Sequence, residues 1–265
     1  MKNYYGICYN SEISGYLDIM ETLKNLLNLF NARYSVFSMD DLQSDCDFVF
    51  VIGGDGTILK TARFYSKLSV PVFGINLGHL GFLSQASVCD LENAIEKIIK
   101  GDYKIETRTM LECGNYTALN DFVIKGIESS RATNFLLEID GKFVCEYFAD
   151  GLIISTPTGS TAYGMASGGP VISPDSDVLE IVPICPHTFS ARPIVVPLSS
   201  KIKIKGQKYC ISADGQEVFN SNDDIFINKS EFSAKLVLLS GNDFYSVLRN
   251  KLHWGIKPSK EMFND

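Results

Sequence analysis

The segment Gly53-Gly54-Asp55-Gly56-Thr57 sets a carboxylate among three glycines, directly after the apolar run Phe48-Val49-Phe50-Val51-Ile52 and before a stretch of helical character. Backbone amides at the start of a helix point outward with partial positive charge, so such a turn favours an anion, phosphate above all. The glycines let a phosphate approach closely and permit positive φ angles. An acid in their midst would repel bare phosphate. Asp55 therefore implies a second role, that of taking a proton from a hydroxyl nucleophile, orienting it, or holding Mg²⁺. The pattern is neither a Walker loop, since no Gly-Lys-Ser or Gly-Lys-Thr ends it, nor the dinucleotide fingerprint, since position 59 is leucine. A plain strand-to-helix turn with an Asp cap is the alternative.

A second constellation runs from Asp150 to Tyr163 and continues into Gly168-Gly169-Pro170. The hydroxyls of Ser155, Thr156, Thr158, Ser160 and Thr161 lie between a strand pattern and a short helix, where they offer donors to a polar ligand, and Tyr163 supplies a flat face for a base. The alternative is a capped helix with an elaborate loop. Ser160 lacks the Gly-x-Ser-x-Gly elbow of a hydrolase nucleophile. In Asn120-Asp121 an amide stands beside a carboxylate, a pair suited to a base edge and ribose hydroxyls that also commonly starts a turn. His79, between Gly78 and Gly81, is a candidate cleft residue, although a lone histidine is usually structural. His187 and His253 have no neighbours at zinc-ligand spacing.

The elements that must position these residues follow from hydrophobic period. Tyr5 to Tyr9, Tyr34 to Phe37, Phe48 to Ile52 and Val70 to Ile75 read as strands. Between and after them, Glu12 to Asn31, Thr57 to Leu68 and Asp90 to Lys100 carry apolar residues at helical spacing. This alternation predicts an α/β domain with a parallel sheet over residues 1–100. After Gly101 the texture becomes short alternating strands, with Asp140-Gly141 and Asp214-Gly215 placed where tight hairpins turn. Residues 101–265 are thus expected to form a mainly β domain interrupted by a short helix over Ser160 to Ser167, the last residues packing back on the first domain or trailing free.

Composition narrows the classes. The chain has 265 residues, 45% of them hydrophobic and 21% charged, enough to bury a sizeable core. Its 31 acids against 24 bases, net charge -7, argue against a nucleic-acid binder. Lys201, Lys203, Lys205 and Lys208 alternate with Ile202, Ile204 and Gly206 as the solvated face of a strand would. Seven scattered cysteines without a Cys-x-x-Cys pair fit core thiols in a reducing compartment, and no signal-peptide pattern or membrane-length apolar run is present. A cytoplasmic protein with no membrane partner is expected, and the glycosylation-type triplets at Asn115 and Asn228 count as chance matches.

Taken in order, these segments resemble the NAD kinase family, which phosphorylates the 2′-hydroxyl of NAD's adenosine ribose to make NADP. Gly53 to Thr57 is similar to the family's donor loop, Asn120-Asp121 falls where the family has Asn-Glu, and Asp150 to Tyr163 looks like its glycine and threonine signature. Gly78-His79-Leu80-Gly81-Phe82 and Pro183 to Pro193 are also similar, so the resemblance runs from about residue 50 to 220. The first motif is shared with lipid kinases and phosphofructokinases. A lipid or sugar kinase, or a non-catalytic NAD(P) sensor, is therefore the alternative.

The resemblance implies a two-sheet, sandwich-like second domain and an active site in the cleft between the domains. Asp55 is then the general base for the ribose hydroxyl, with Gly53, Gly54, Gly56 and Thr57 around the ATP phosphates and Lys60 one helical turn on. His79 and Phe82 line the cleft, and Asn120 and Asp121 contact adenosine and ribose. Asp150 takes the far part of the dinucleotide. Thr158, with Thr161, Ala162, Tyr163, Gly164, Met165 and Ala166, forms the adenine pocket, while Arg131 and Gln216 add further contacts. Asp121 is one methylene shorter than the usual Glu, which implies a looser or water-bridged ribose contact. Phe148 stands where some relatives have arginine. Magnesium is expected with ATP rather than in a dedicated protein site, and assembly as a homodimer or homotetramer through the β-rich half.

Overall fold

The computed structural model describes residues 4–77, 81–86, 90–128, 131–206, 208–240 and 243–254. The chain divides into two compact units, one made of Met1–Ile58, Pro71–Glu106 and Leu236–Asp265, the other of Leu59–Val70 and Thr107–Lys235.

The first unit is the expected α/β layer. Its elements in chain order are β1 (Tyr4–Tyr9), α1 (Tyr16–Leu29), β2 (Arg33–Ser38), β3 (Phe48–Ile52), the first turn of α2 (Asp55–Ser66), β4 (Val72–Ile75), β5 (Ser84–Ala86) and α3 (Leu91–Lys100). The strands pair in parallel in the order β2-β1-β3-β4-β5. Every residue of β3 is buried, as a parallel strand covered on both faces requires. Ile19, Met20, Leu23 and Leu27 of α1 and Leu91, Ala94, Ile95 and Ile98 of α3 join Phe50, Ile52 and Phe73 in one apolar cluster. The α1 helix is shorter at both ends than its apolar period predicts. Gly15 precedes it at φ 85°, and Asn31 follows it at φ 51°, both in the left-handed region that ends a right-handed helix.

The second unit begins with β6 (Lys104–Cys113), whose first residues belong to the first unit, then β7 (Tyr116–Ala118), β8 (Asp121–Gly126), β9 (Thr133–Ile139), β10 (Lys142–Ala149) and β11 (Gly151–Ser155). A 3₁₀ turn over Gly159–Thr161 and α4 (Tyr163–Ala166) replace the single short helix expected there. They are followed by β12 (Val178–Ile184), β13 (Ile194–Pro197), β14 (Ile202–Ile204), β15 (Tyr209–Ala213), β16 (Glu217–Ser221) and β17 (Ile225–Leu238). The final helix, α5 (Phe244–Leu252), returns to the first unit, where Leu236 of β17 also pairs in parallel with Val72.

Two antiparallel sheets make the second unit, β10-β9-β14-β17 and β13-β12-β11-β8-β15-β16. They share a core containing Phe122, Leu152, Ile181 and Ile211 from one sheet and Phe135, Leu137, Ile202 and Ile225 from the other, the packing of a sandwich. Side chains alternate between faces along a strand. The six-stranded sheet therefore turns Asp121, Val123, Ser155, Glu180 and Ser212 away from that core, onto one outer face. Both Asp-Gly pairs turn hairpins with two consecutive left-handed residues: Asp140 (φ 52°) and Gly141 (75°), then Asp214 (52°) and Gly215 (66°). Lys203 of β14 pairs with Glu138 and Asp224, and Lys205, just past the strand, pairs with Glu138. The six described cysteines are free thiols.

Candidate functional site

Asp55 is the first residue of α2, so the helix starts ahead of the Thr57 that its apolar period suggests. The Gly54 carbonyl accepts from the amides of Thr57 and Ile58. The carboxylate is held by the backbone opposite: Oδ2 accepts from the Phe82 amide at 3.0 Å and Oδ1 from the Leu83 amide at 3.3 Å, with Lys251 Nζ of α5 3.6 Å from Oδ2. Lys251 also lies 5.0 Å from the centre of the Phe82 ring. A Cβ at Gly81 would collide with the Asp55 carboxylate, so this glycine is what lets the acid lie against the 81–83 backbone. An ionised carboxylate offers about four lone pairs. Two are engaged by amides here, and 32% of the side chain remains exposed.

The positive φ angles that the glycines of the turn permit are not used. Gly53 and Gly54 keep ordinary φ values, and the missing Cβ of Gly53 makes room for Thr57. Thr57 is buried, with its Oγ1 accepting from Asn10 Nδ2 at 3.3 Å. Gly54 faces open space.

In the second unit, Asn120, Asp121, Ala162 and Tyr163 line one cavity of about 410 Å³, together with Val123, Lys125, Ser212 and Asp214, none of which the sequence singled out as a ligand contact. Lys125 Nζ stands 6.0 Å from the Tyr163 ring centre. The backbone that carries Asn120 and Asp121 is tied down at every polar group. The amides of Leu119, Asn120 and Asp121 donate to the Asp214 carboxylate at 3.0, 2.7 and 3.2 Å. The Leu119 carbonyl accepts from Thr156 Oγ1 at 2.6 Å, and that of Asn120 from the Thr156 amide at 2.9 Å and Ser155 Oγ at 3.1 Å. The Asp121 carbonyl accepts from the Asp214 amide at 2.9 Å.

Asp214 is in turn faced by Arg63 of α2, whose later turns belong to this unit. Arg63 Nε is 3.6 Å from Asp214 Oδ2, an ion pair rather than a hydrogen bond. Its other nitrogens donate to the carbonyls of Thr117 and Ala213 and to the side chains of Gln216 and Glu217. Gln216, expected at the ligand, is thus a partner of Arg63.

The hydroxyls of the second constellation are directed inward. Besides Ser155 and Thr156, Ser160 Oγ donates to the Pro157 carbonyl at 2.7 Å and accepts from the Ile172 amide at 3.0 Å, and Thr158 Oγ1 accepts from buried Arg108 at 3.3 Å. They staple the 155–161 loop to its surroundings. A Cβ at Gly159 would strike the Asn120 carbonyl, so the loop and the Asn120 backbone meet only because that residue is glycine.

Below the loop lies a charge cluster that sequence inspection missed. Glu180 of β12 and Asp121 of β8 are the two cross-strand neighbours of Ser155 and share its face of the sheet. Glu180 is 0% exposed, and neither carboxyl oxygen has a hydrogen-bond partner among the described residues. It packs where Gly164 and Gly169 leave space, since a Cβ on either would meet it. Burial, then the nearby Asp121, pushes the Glu180 carboxyl up to about 7. Burial, then Asp214, does the same to Asp121, also to about 7. Burial pushes Asp214 up as well, against three amides and Arg63 that pull it down.

The remaining candidates are scattered. Arg131 is exposed outside the cavity, 3.8 Å from Glu128. Asp150 is half exposed, 3.7 Å from His187 Nε2, and the His187 ring meets Phe148 edge to face. Lys60, Thr161 and Met165 are half-buried, Gly164 is buried, and Ala166 and Gly56 are exposed. His79 lies outside the described residues.

Comparison with known proteins covers most of the chain. Residues 20–103 match the ATP-NAD kinase N-terminal domain, and residues 119–239 match the ATP-NAD kinase C-terminal domain. The chain is 43% identical over 221 residues to a NAD kinase of Clostridium botulinum (strain Loch Maree / Type A3), covering 78% of this chain and 79% of that protein. It is 41% identical over 231 residues to a NAD kinase of Geotalea daltonii, covering 82% and 81%. Among solved structures, a NAD kinase from Archaeoglobus fulgidus in complex with ATP superposes with a TM-score of 0.82 at 29% identity, over 94% of this chain and 98% of that one.

Proposed function

The chain belongs to the ATP-NAD kinase family, and on that premise we propose a division of labour in which Asp55 serves the chemistry and the cavity at Asn120 and Asp121 serves recognition. The enzyme is a phosphotransferase with an alcohol acceptor, converting NAD and ATP to NADP by phosphorylating the adenosine ribose 2′-hydroxyl. Nothing in the matches, which span both parts of the chain, favours a lipid kinase or a sensor.

The observation that carries the reading is the Asp55 carboxylate, fixed by two backbone amides with lone pairs left over and a third of its surface open. A ribose hydroxyl is a poor nucleophile at neutral pH. In this scheme Asp55 accepts its proton as the bond to the γ-phosphorus forms, the bond to the β–γ bridging oxygen breaks, and ADP leaves. Positioning and electrostatics supply most of the rest of the acceleration. The Gly53 to Thr57 turn, at the start of α2, takes donor phosphate, and Phe82 frames the acid. The adenosine portion sits in the cavity, its base against Tyr163 and Ala162 and its polar edges toward Asn120 and Asp121.

Magnesium enters as part of the magnesium–ATP substrate. Among the described residues no three His, Cys, Asp or Glu side chains converge as a metal site. We further propose a cytoplasmic homo-oligomer assembled through the β-rich unit. Free thiols fit that compartment, and no described helix is long and apolar enough to cross a membrane. The decisive experiment is incubation of purified protein with NAD, ATP and magnesium: NADP must appear, and its formation must collapse in Asp55→Asn while NAD still binds.

A further inference from the structure

We infer that Arg63 and Asp214 are positioning residues for the dinucleotide: they fix the backbone from which Asn120 and Asp121 reach the cavity. The inference rests on the reading that those two side chains take the adenosine portion of NAD.

Asp214 stands at the first position of a tight hairpin turn, in the left-handed conformation that such turns demand. The turn needs no carboxylate, because asparagine adopts that conformation as readily. The carboxylate instead reaches a segment 93 to 95 residues away and collects three consecutive amides. Oδ1 serves Asn120 and Asp121 while Oδ2 serves Leu119, so both oxygens are committed to one short stretch of chain.

Arg63 completes the arrangement from the other side. It is 6% exposed, its two terminal nitrogens donate hydrogen bonds, and its buried Nε makes no hydrogen bond among the described residues but faces the Asp214 carboxylate at 3.6 Å. Its fork is spread over the hairpin itself: the Ala213 carbonyl, the Gln216 and Glu217 side chains, and Asp214. Arg63 thereby fixes the turn and Asp214 transmits that placement to residues 119–121. With Ser155 and Thr156 holding the carbonyls of Leu119 and Asn120, the segment has no polar backbone group left to relax on. Asn120 and Asp121 are presented by a rigid frame, and a ribose or base is met without reordering it.

Asp214→Asn keeps the turn conformation and the shape but replaces one acceptor oxygen with a donor, which must face a backbone N–H. The expected result in the folded variant is a rise in KM for NAD of about 10²-fold, the scale on which small misplacements act, with KM for ATP unchanged. Arg63→Lys keeps the charge without the fork and should raise KM for NAD in the same direction by less. It also decides the matter should Asp214→Asn not fold. Asn120→Ala is the control for the underlying reading. If Asn120→Ala binds NAD as the parent does, the assignment of that pair to the ligand falls, and this inference with it. If Asn120→Ala weakens NAD while folded Asp214→Asn or Arg63→Lys keeps the parent KM and merely melts earlier, the two residues support the fold alone and the inference is overturned.

Discussion

Asp55 and Asp121 are the same residue type in opposite settings. Asp55 keeps a third of its side chain exposed, touches two amides and one lysine, and sits on a turn whose Gly54 faces open space. Asp121 is 4% exposed, on a segment with every backbone group tied and with two further buried carboxyls, Glu180 and Asp214, beside it. A base must be reachable and must exchange its proton each cycle; a recognition group must hold still. The first region is lightly restrained and the second heavily, the distribution that the proposed roles call for.

The largest effect expected is from Asp55→Asn, with turnover falling by about 10² to 10⁴-fold and NAD binding by calorimetry unchanged. Loss of binding in step with turnover would erase the distinction between the regions. Gly159→Ala drives a methyl group into the Asn120 carbonyl, and forced overpacking of this kind costs about 1 to 3 kcal/mol. Urea unfolding should report that loss, and NAD affinity should fall with it.

Glu180→Gln probes the acid cluster through pH. Its carboxyl sits at about 7 in the folded protein against an ordinary 4.5. Between those values the folded state keeps a proton that the unfolded chain has released. The parent therefore loses stability as pH rises from about 4.5 to 7, and no more above it. Glu180→Gln removes that share of the slope. It should be more stable than the parent at pH 8 by about 1 to 2 kcal/mol and lose that advantage near pH 5, measured by denaturant unfolding at both values. A difference that does not change with pH would mean that Glu180 is ionised at both. The smallest effect belongs to Lys251→Met: its pair with Asp55 is partly exposed, so unfolding free energy should move by no more than about 1 kcal/mol.

Much of this was legible in the chain. Phe48 to Ile52 announces a buried parallel strand, and the glycines around Asp55 announce a helix start beside an acid. Asp140-Gly141 and Asp214-Gly215 announce hairpins. What periodicity does not carry is where a side chain points once the fold closes. The hydroxyls from Ser155 to Thr161 look like ligand donors, and in the fold they bond to backbone carbonyls and to Arg108. Asp214 looks like a turn residue, because the amides it serves are more than ninety positions away. Glu180 is one acid in the apolar stretch Leu179 to Ile184, and only the register that sets it across Ser155, opposite Asp121, exposes its significance.

The first unit takes in Val237 and Leu239 as core residues, Leu236 as a partner of β4, and Lys251 beside Asp55. During synthesis its opening hundred residues leave the ribosome long before these last pieces exist. The nascent α/β layer must wait with an unfinished sheet edge and an unfilled core until residues 236–251 have been made. A fragment stopping at residue 106 should inherit that vulnerability permanently, and so should any early termination product.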